Sequence, residues 1–358
     1  DTGGNIGFMV RGELPIRASS AGRRLPVPGW TGEHEWVGPV PFEQMPRTIN
    51  PPEGFVSTAN QRVIPGDEPY ISAYFASPAR ADRLVELLGN GDTLTPEQVA
   101  GFQDDQVSRP ARKWGRFLAT QGPFTGDAER ARWMLASFDG DLQPDRPEPL
   151  LYAYFRRALM RELFSPMVGE AAWDWLSTDP NPGLGRIAGG LIAEYVAHLD
   201  DGIEPPAGRS WAEVLAPALE RGWAQAVALG GDNPAQWRWG DRHTTASKHP
   251  LSAVFPDAGL DPPRIAIGGD ADTLKNATYG LSGKNDFVLT SVSVYRQVID
   301  FDRPDDASYI VPGGASGDPG SAHFADQLES WARCERLPMH RLAEQARAAA
   351  KAEVILNP

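Results

Sequence analysis

The chain has 358 residues, enough for one large domain or two ordinary ones, and 41% of them are hydrophobic, so it can bury a substantial core. Its formal net charge of −13, with no basic stripe along the chain, argues against a nucleic-acid partner, because neutralising phosphates needs clustered Lys and Arg. The single cysteine, Cys334, excludes an internal disulfide and any multi-thiolate zinc site, and no apolar run approaches the ~18 residues needed to cross a bilayer.

The N-terminal residues Asp1 to Phe8 lack the charged-then-apolar pattern of a signal peptide, which leaves open a leader upstream of Asp1. From there the chain reads as short strands broken by turns. Ile6 to Val10 is a brief apolar run beside glycines, and Leu25 to Trp30 is extended with a turn at its end. Beyond Tyr70 the pattern becomes helical, with Leu84, Leu87 and Leu88 on one side of a helix that stops at Gly89-Asn90-Gly91. Thr95-Pro96-Glu97-Gln98 has capping-box spacing with proline at the first helical position, and Ser210-Trp211-Ala212-Glu213 repeats the device. Between them, Leu150 to Phe164 is apolar on most of its circumference and reads as a largely buried helix.

Strand character returns at Phe287 to Asp300, where Val288, Val292 and Val294 would share one face and Phe287, Leu289 and Tyr295 the other. Met339 to Leu356 reads as an alanine-rich amphipathic helix with a strand-like end. The expected class is α+β, with a β and loop segment over 1–80, a mainly helical block over 81–232, and strands and a helix over 233–358 that return to the core. Strands at both ends suggest that the terminal segments meet in one sheet. The eleven Trp and 33 Pro point to loop-rich architecture with aromatic packing, and the tryptophans read as core material.

Several chemical motifs fail on spacing. Neither Gly280-Leu281-Ser282-Gly283 nor Gly314-Ala315-Ser316-Gly317 is a nucleophile elbow, and both read as turns. Gly283-Lys284-Asn285 lacks the leading glycine and the Ser or Thr of a phosphate loop. His243, His249, His323 and Asp326 could compose a metal site by residue type alone; the favoured reading is loop histidines satisfied by hydrogen bonds.

The segment Arg47-Thr48-Ile49-Asn50-Pro51-Pro52-Glu53-Gly54-Phe55-Val56-Ser57-Thr58-Ala59-Asn60 closely resembles a signature of the penicillin acylase (penicillin amidase) family of N-terminal-nucleophile hydrolases. Gly4 to Phe8 and Leu25 to Trp36 resemble the β-chain stretch that precedes it. Ala79 to Leu84 followed by Leu94-Thr95, Trp237-Arg238-Trp239-Gly240 with His243, and Gly313 to Gly317 with His323 to Gln327 and Trp331 resemble later motifs in the expected order. The resemblance spans nearly the whole chain and is least diagnostic between about 120 and 230.

That resemblance implies a partial αββα sandwich with a large helical insertion, the C-terminal portion of the β chain. It implies hydrolysis of the amide of N-acyl substrates through an acyl-serine intermediate, with no cofactor in the chemistry. In such enzymes a serine at the first position of the β chain uses its own α-amino group as base, since an α-amino pKa of about 7.7–8.0 accepts the hydroxyl proton near neutrality. Asp1 cannot act in that way, so the nucleophile is expected upstream, and the chain alone is expected to be inactive.

Asn60 corresponds to the oxyanion donor; read by itself it would be an Asx turn after a short strand. Arg80 corresponds to the active-site arginine, with Arg83 three residues on as its competitor and a surface helix arginine as the plainer reading. The family commonly carries a structural calcium held nearer the nucleophile; Glu68 and the backbone near Arg23 are candidate contributors here without a clear ligand pattern. The implied partners are an α chain, the N-terminal part of the β chain and a small-molecule N-acyl substrate, with export to the periplasm or the medium. The alternatives are an acylase for N-acyl homoserine lactones or lipopeptides, and a non-catalytic scaffold derived from the fold.

Overall fold

Prolines and glycines interrupt the chain so often between Asp1 and Asp92 that each strand there spans only three or four residues. The computed structural model describes residues 1–20, 25–89, 93–177, 192–193, 195–281 and 287–350. By compactness the chain divides into Asp1–Asp92 and Thr93–Pro358.

In the first unit, β1 (Gly7–Met9) pairs antiparallel with β4 (Arg47–Ile49), Gly7 opposite Ile49. Strand β2 (Pro15–Arg17) pairs with β3 (Trp36–Pro39), Pro15 opposite Pro39. Helix α1 (Ala79–Leu88) follows, burying Ala79, Ala81 and Arg83 while Leu84, Leu87 and Leu88 are half-buried. The amide of Gly89 closes it on the carbonyl of Val85 at 2.8 Å; Asn90 and Gly91 of the expected stop lie outside the described residues.

The second unit is helical first. Helix α2 (Pro96–Phe102) starts in the expected capping box: the Gln98 amide donates to Thr95 Oγ1 at 3.3 Å and the Thr95 amide to Gln98 Oε1 at 2.8 Å. Then come α3 (Arg109–Ala119), α4 (Gly126–Ala136), α5 (Glu148–Val168), α6 (Glu170–Ser177) and α7 (Trp211–Gly230), the last opened by the Ser210/Glu213 box. As its sequence demands, α5 is buried on most sides, from Pro149 to Ser165. It packs along α7, and Gly222 permits the close approach, since a Cβ there would lie 3.0 Å from the amide nitrogen of Phe155. Trp114 of α3 meets Phe155 and Trp211 edge-on, each at 5.8 Å, and Trp173, Trp223, Trp237, Trp239 and Trp331 are buried as well, whereas Trp30, Trp36, Trp133 and Trp175 are exposed and depart from the expected core role.

Beyond the helices, β5 (Ala277–Tyr279) pairs with β6 (Leu289–Val292), and β7 (Arg296–Val298), β8 (Ser308–Ile310) and β9 (Leu337–Pro338) form a second sheet beside α8 (Leu328–Ala332). The expected single strand from Phe287 to Asp300 is therefore two strands in different sheets. The break has a physical cause: the Ser293 carbonyl accepts the Trp331 indole N–H at 3.0 Å in place of a ladder partner, and Val294 and Tyr295 swing out to solvent. The C-terminal helix is also shorter than its alanine content suggests; α9 spans Ala343–Ala349, and 351–358 lie outside the described residues. Nor do the terminal segments share a sheet: among the described residues the strands form four separate small sheets, each closed within its own unit.

A buried ionic cluster joins α5 to the loop before β5. Arg156 donates to Asp270 at 3.0 Å and lies 3.5 Å from Asp272, whose amide donates to Asp270 Oδ1 at 2.7 Å. Two carboxylates sharing one guanidinium out of water leave an excess negative charge, and burial together with Asp272 pushes the Asp270 carboxyl up to about 7. Nearby His243, fully buried, stacks on Trp239 at 4.5 Å and donates from Nδ1 to the Phe287 carbonyl at 2.7 Å; burial pushes it down to about 4.

These two groups drive stability in opposite directions. The folded chain keeps a proton on Asp270 that the unfolded chain releases near 3.8, so that contribution is full below 3.8 and is lost as pH rises to about 7. The unfolded chain protonates His243 at 6.5 but the folded chain only near 4, so that contribution is lost as pH falls through this window. Asp270→Asn removes the first slope and leaves the second. Its urea midpoint is expected to climb more steeply between about pH 4.5 and 7 than that of the unsubstituted chain; parallel slopes would show that Asp270 holds no proton.

Candidate active site

The signature segment starts as β4 and leaves it at Asn50, whose φ of 47° turns the chain out of the sheet. Asparagine tolerates this left-handed conformation because its short polar side chain bonds locally. Here Asn50 Oδ1 accepts the Ile6 amide and its Nδ2 donates to Asn5 Oδ1, both at 2.9 Å. The Asn5-Ile6-Gly7 stretch is thereby tied to the signature.

The segment ends in a second left-handed asparagine, Asn60, with φ 68°. The turn is held at both sides: the Ala59 amide donates to Gln61 Oε1 at 2.7 Å, and the Ala76 amide donates to the Asn60 carbonyl at 2.9 Å. Beside it, Arg62 donates to Asp67 at 2.8 Å and to the Gly66 carbonyl at 3.0 Å, while its guanidinium lies 4.9 Å from the centre of the Phe75 ring. Residues 60–62 are thus bound to 75–76 at two points.

The opening turn of α1 then brings Arg80 to Asn60: Arg80 Nη2 donates to Asn60 Oδ1 at 3.0 Å. This bond fixes the amide flip, because the guanidinium has donors only and can face only the oxygen. Asn60 Nδ2 then points elsewhere, and among the described residues it has no acceptor. Withdrawing electrons through the oxygen also makes Nδ2–H a better donor to an incoming anion. Arg83, the competitor for this position, is buried and donates to Glu86 at 2.6 Å. Helical spacing alone left the two arginines close to equivalent; burial separates them.

The other candidates do not gather. His243 is enclosed with Trp237 and Trp239, and the indole N–H of Trp237 donates to the Gly231 carbonyl at 2.9 Å. His249 Nδ1 accepts the Leu251 amide at 3.2 Å. His323 and Asp326 form an exposed pair at 2.8 Å within a loop closed by the Gln327 amide on the Gly313 carbonyl, also at 2.8 Å. Gly314 is required there, since a Cβ would lie 2.0 Å from the His323 carbonyl, and the motif is a bent loop with its turn further on, at Pro319–Gly320. Gly283-Lys284-Asn285, with Ser282, lies outside the described residues.

For calcium, Arg23 lies outside the described residues, Glu68 is exposed, and no group of three His, Cys, Asp or Glu gathers among the described residues. The described carboxylates thus compose no such site by themselves, and no step below uses one. No described helix is long and apolar enough to cross a membrane. Sequence reasoning did not single out Gln61 or Arg62. Their adjacency to Asn60 was the only local hint, because the residues they brace are fixed by folding.

The family model described as penicillin amidase matches residues 1–348. The chain is 35% identical over 346 residues to the penicillin acylase 2 proenzyme of Pseudomonas sp. (strain SE83), covering 95% of this chain and 43% of that protein. It is 29% identical over 345 residues to the acyl-homoserine lactone acylase QuiP of Pseudomonas putida, covering 91% of this chain and 42% of that protein. Among solved structures, a thermostable penicillin G acylase from Alcaligenes faecalis superposes with a TM-score of 0.65 at 20% identity, over 100% of this chain and 66% of the other. That likeness establishes the fold, of mixed helices and small sheets. The chain spans less than half the length of the curated relatives it matches.

The two arginines should separate in a stability measurement. Arg83→Ala removes a buried stem and a paired guanidinium and is expected to lower unfolding free energy by roughly 2 kcal/mol. Arg80→Ala, on the half-buried face, is expected to cost under about 1 kcal/mol. Thermal or urea unfolding of both variants checks this, and equal losses would contradict the division of labour between them.

Proposed function

The chain belongs to the penicillin amidase family, and on that premise we propose that it is the C-terminal part of an N-terminal-nucleophile amide hydrolase, contributing the oxyanion donor and its organiser. The observation that carries this reading is the bond from Arg80 to the oxygen of Asn60, which leaves an exposed amide N–H facing outward. In the proposed reaction a serine outside these residues, activated by its own α-amino group, attacks the carbonyl of an N-acyl substrate. Asn60 Nδ2–H donates to the oxygen as it becomes negative, while Arg80 keeps the amide from rotating. The amine departs, water attacks the acyl-serine, and the same donor serves the second tetrahedral intermediate.

In this reading the nucleophile lies elsewhere, which is supported by the chain's corresponding to 43% of the proenzyme it resembles. The complementary partners are then an α chain and the N-terminal part of the β chain, released from one autoproteolytic precursor and exported to the periplasm or beyond. Exposed apolar side chains support this reading: Trp30 is 90% exposed, and Trp36, Phe42 and Ile49 are exposed as well. Similarity to an acyl-homoserine lactone acylase across 91% of the chain supports, as a second reading, an N-acyl homoserine lactone as the substrate.

The test uses the complete precursor with its upstream segment. Asn60→Ala is expected to lower kcat for a chromogenic N-acyl substrate by about 10²- to 10³-fold with little change in KM. Residues 1–358 alone should show no turnover. An active Asn60→Ala enzyme would sink the oxyanion assignment, turnover by the isolated chain would sink the missing nucleophile, and an inactive complete enzyme would favour the scaffold. Comparing aryl-acetyl amides with long-chain N-acyl homoserine lactones decides between the substrate classes.

A further inference from the structure

The turn that presents Asn60 is not self-supporting. A left-handed backbone is disfavoured for a residue with a Cβ, though least for asparagine, and the half-enclosed amide of Ala59 needs an acceptor that no strand or helix supplies. Its partner is Gln61 Oε1, reaching back over Asn60 at 2.7 Å, so that one side chain closes a ring containing the Asn60 backbone. The Ala76 amide holds the Asn60 carbonyl from the other side, and Arg80 holds the side-chain oxygen. Each of these bonds fixes a different freedom: the chain path, the peptide plane and the amide flip.

We propose that Gln61 is a positioning residue for amide hydrolysis, holding Asn60 in the left-handed conformation that aims its Nδ2–H at the oxyanion. This rests on the oxyanion reading of Asn60. Gln61 touches no reacting atom and acts only through Asn60, which makes two demands. Removing its acceptor must weaken transition-state binding more than substrate binding, and the loss must vanish where Asn60 is already gone.

The experiment is a double-substitution cycle in the complete, processed enzyme, using Gln61→Met, which keeps length and bulk but has no acceptor. Gln61→Met is expected to lower kcat by roughly ten- to a hundredfold with KM nearly unchanged and an unaltered thermal midpoint. In the Asn60→Ala background the same substitution should cost nothing further. Gln61→Glu, which retains an oxygen at that place, should recover most of the lost turnover. Wild-type kcat in Gln61→Met, or an equal loss in both backgrounds, overturns the proposal. If Gln61→Met does not accumulate as folded enzyme, Gln61→Asn, whose carbonyl falls one carbon short, replaces it under the same criteria. Failure of the underlying reading is recognised separately, by an Asn60→Ala enzyme that remains active.

Discussion

A side-chain amide carries a donor and an acceptor that interchange by rotation, so it can serve an anion only if something claims its oxygen. In this chain Arg80 makes that claim, and the same bond joins the end of the signature segment to the start of α1. What surrounds it follows from this requirement. The chain must reverse at Asn60 to bring the side chain against the helix, which calls for a left-handed residue. That residue calls for partners on both adjacent peptide groups, supplied by Gln61 and Ala76. Arg62 against Phe75 then fixes the strand of loop that carries Ala76.

The second unit solves a different electrostatic problem. Arg156 stands among Asp270, Asp272, Tyr152 and Tyr279 in the helical core, where an unpaired guanidinium would cost several kcal/mol in lost hydration. Two carboxylates offset that cost with charge to spare. Burial forces the surplus onto a proton at Asp270, while equally buried His243 is forced to give its proton up. The two shifts oppose each other over nearly the same pH interval, so their contributions to the pH dependence of stability partly cancel.

Features set by local chemistry were legible in the sequence. Both capping boxes, the buried length of α5 and the stop of α1 at Gly89 depend on groups three or four residues apart, and each stands where the side chains required. The strands were less legible for a nonlocal reason: Trp331 takes the Ser293 carbonyl from 38 residues away and splits a run of alternating valines that would otherwise continue. The site divided in the same manner. Asn60 and Arg80 were singled out, and Arg80 preferred to Arg83, through a resemblance that matches residues one by one, whereas the burial of Arg83 and the bond from Arg80 to Asn60 depend on the fold. Gln61 was invisible because its role depends on the path of the backbone, and a glutamine after an asparagine carries no distinctive pattern.

The bonds that fix Asn60 all arise between residues 59 and 80, within a single compact unit. In the proposed reaction this has a consequence for catalysis. A donor oriented by its own chain is in place before substrate arrives and before the segment carrying the nucleophile is positioned, so no reorganisation energy is spent as charge develops on the carbonyl oxygen. Fixing the donor locally also separates two functions that evolution can then vary independently. The acyl group is recognised by whatever lines the rest of the pocket, while the oxyanion, common to every amide, is recognised by a turn whose geometry need not change.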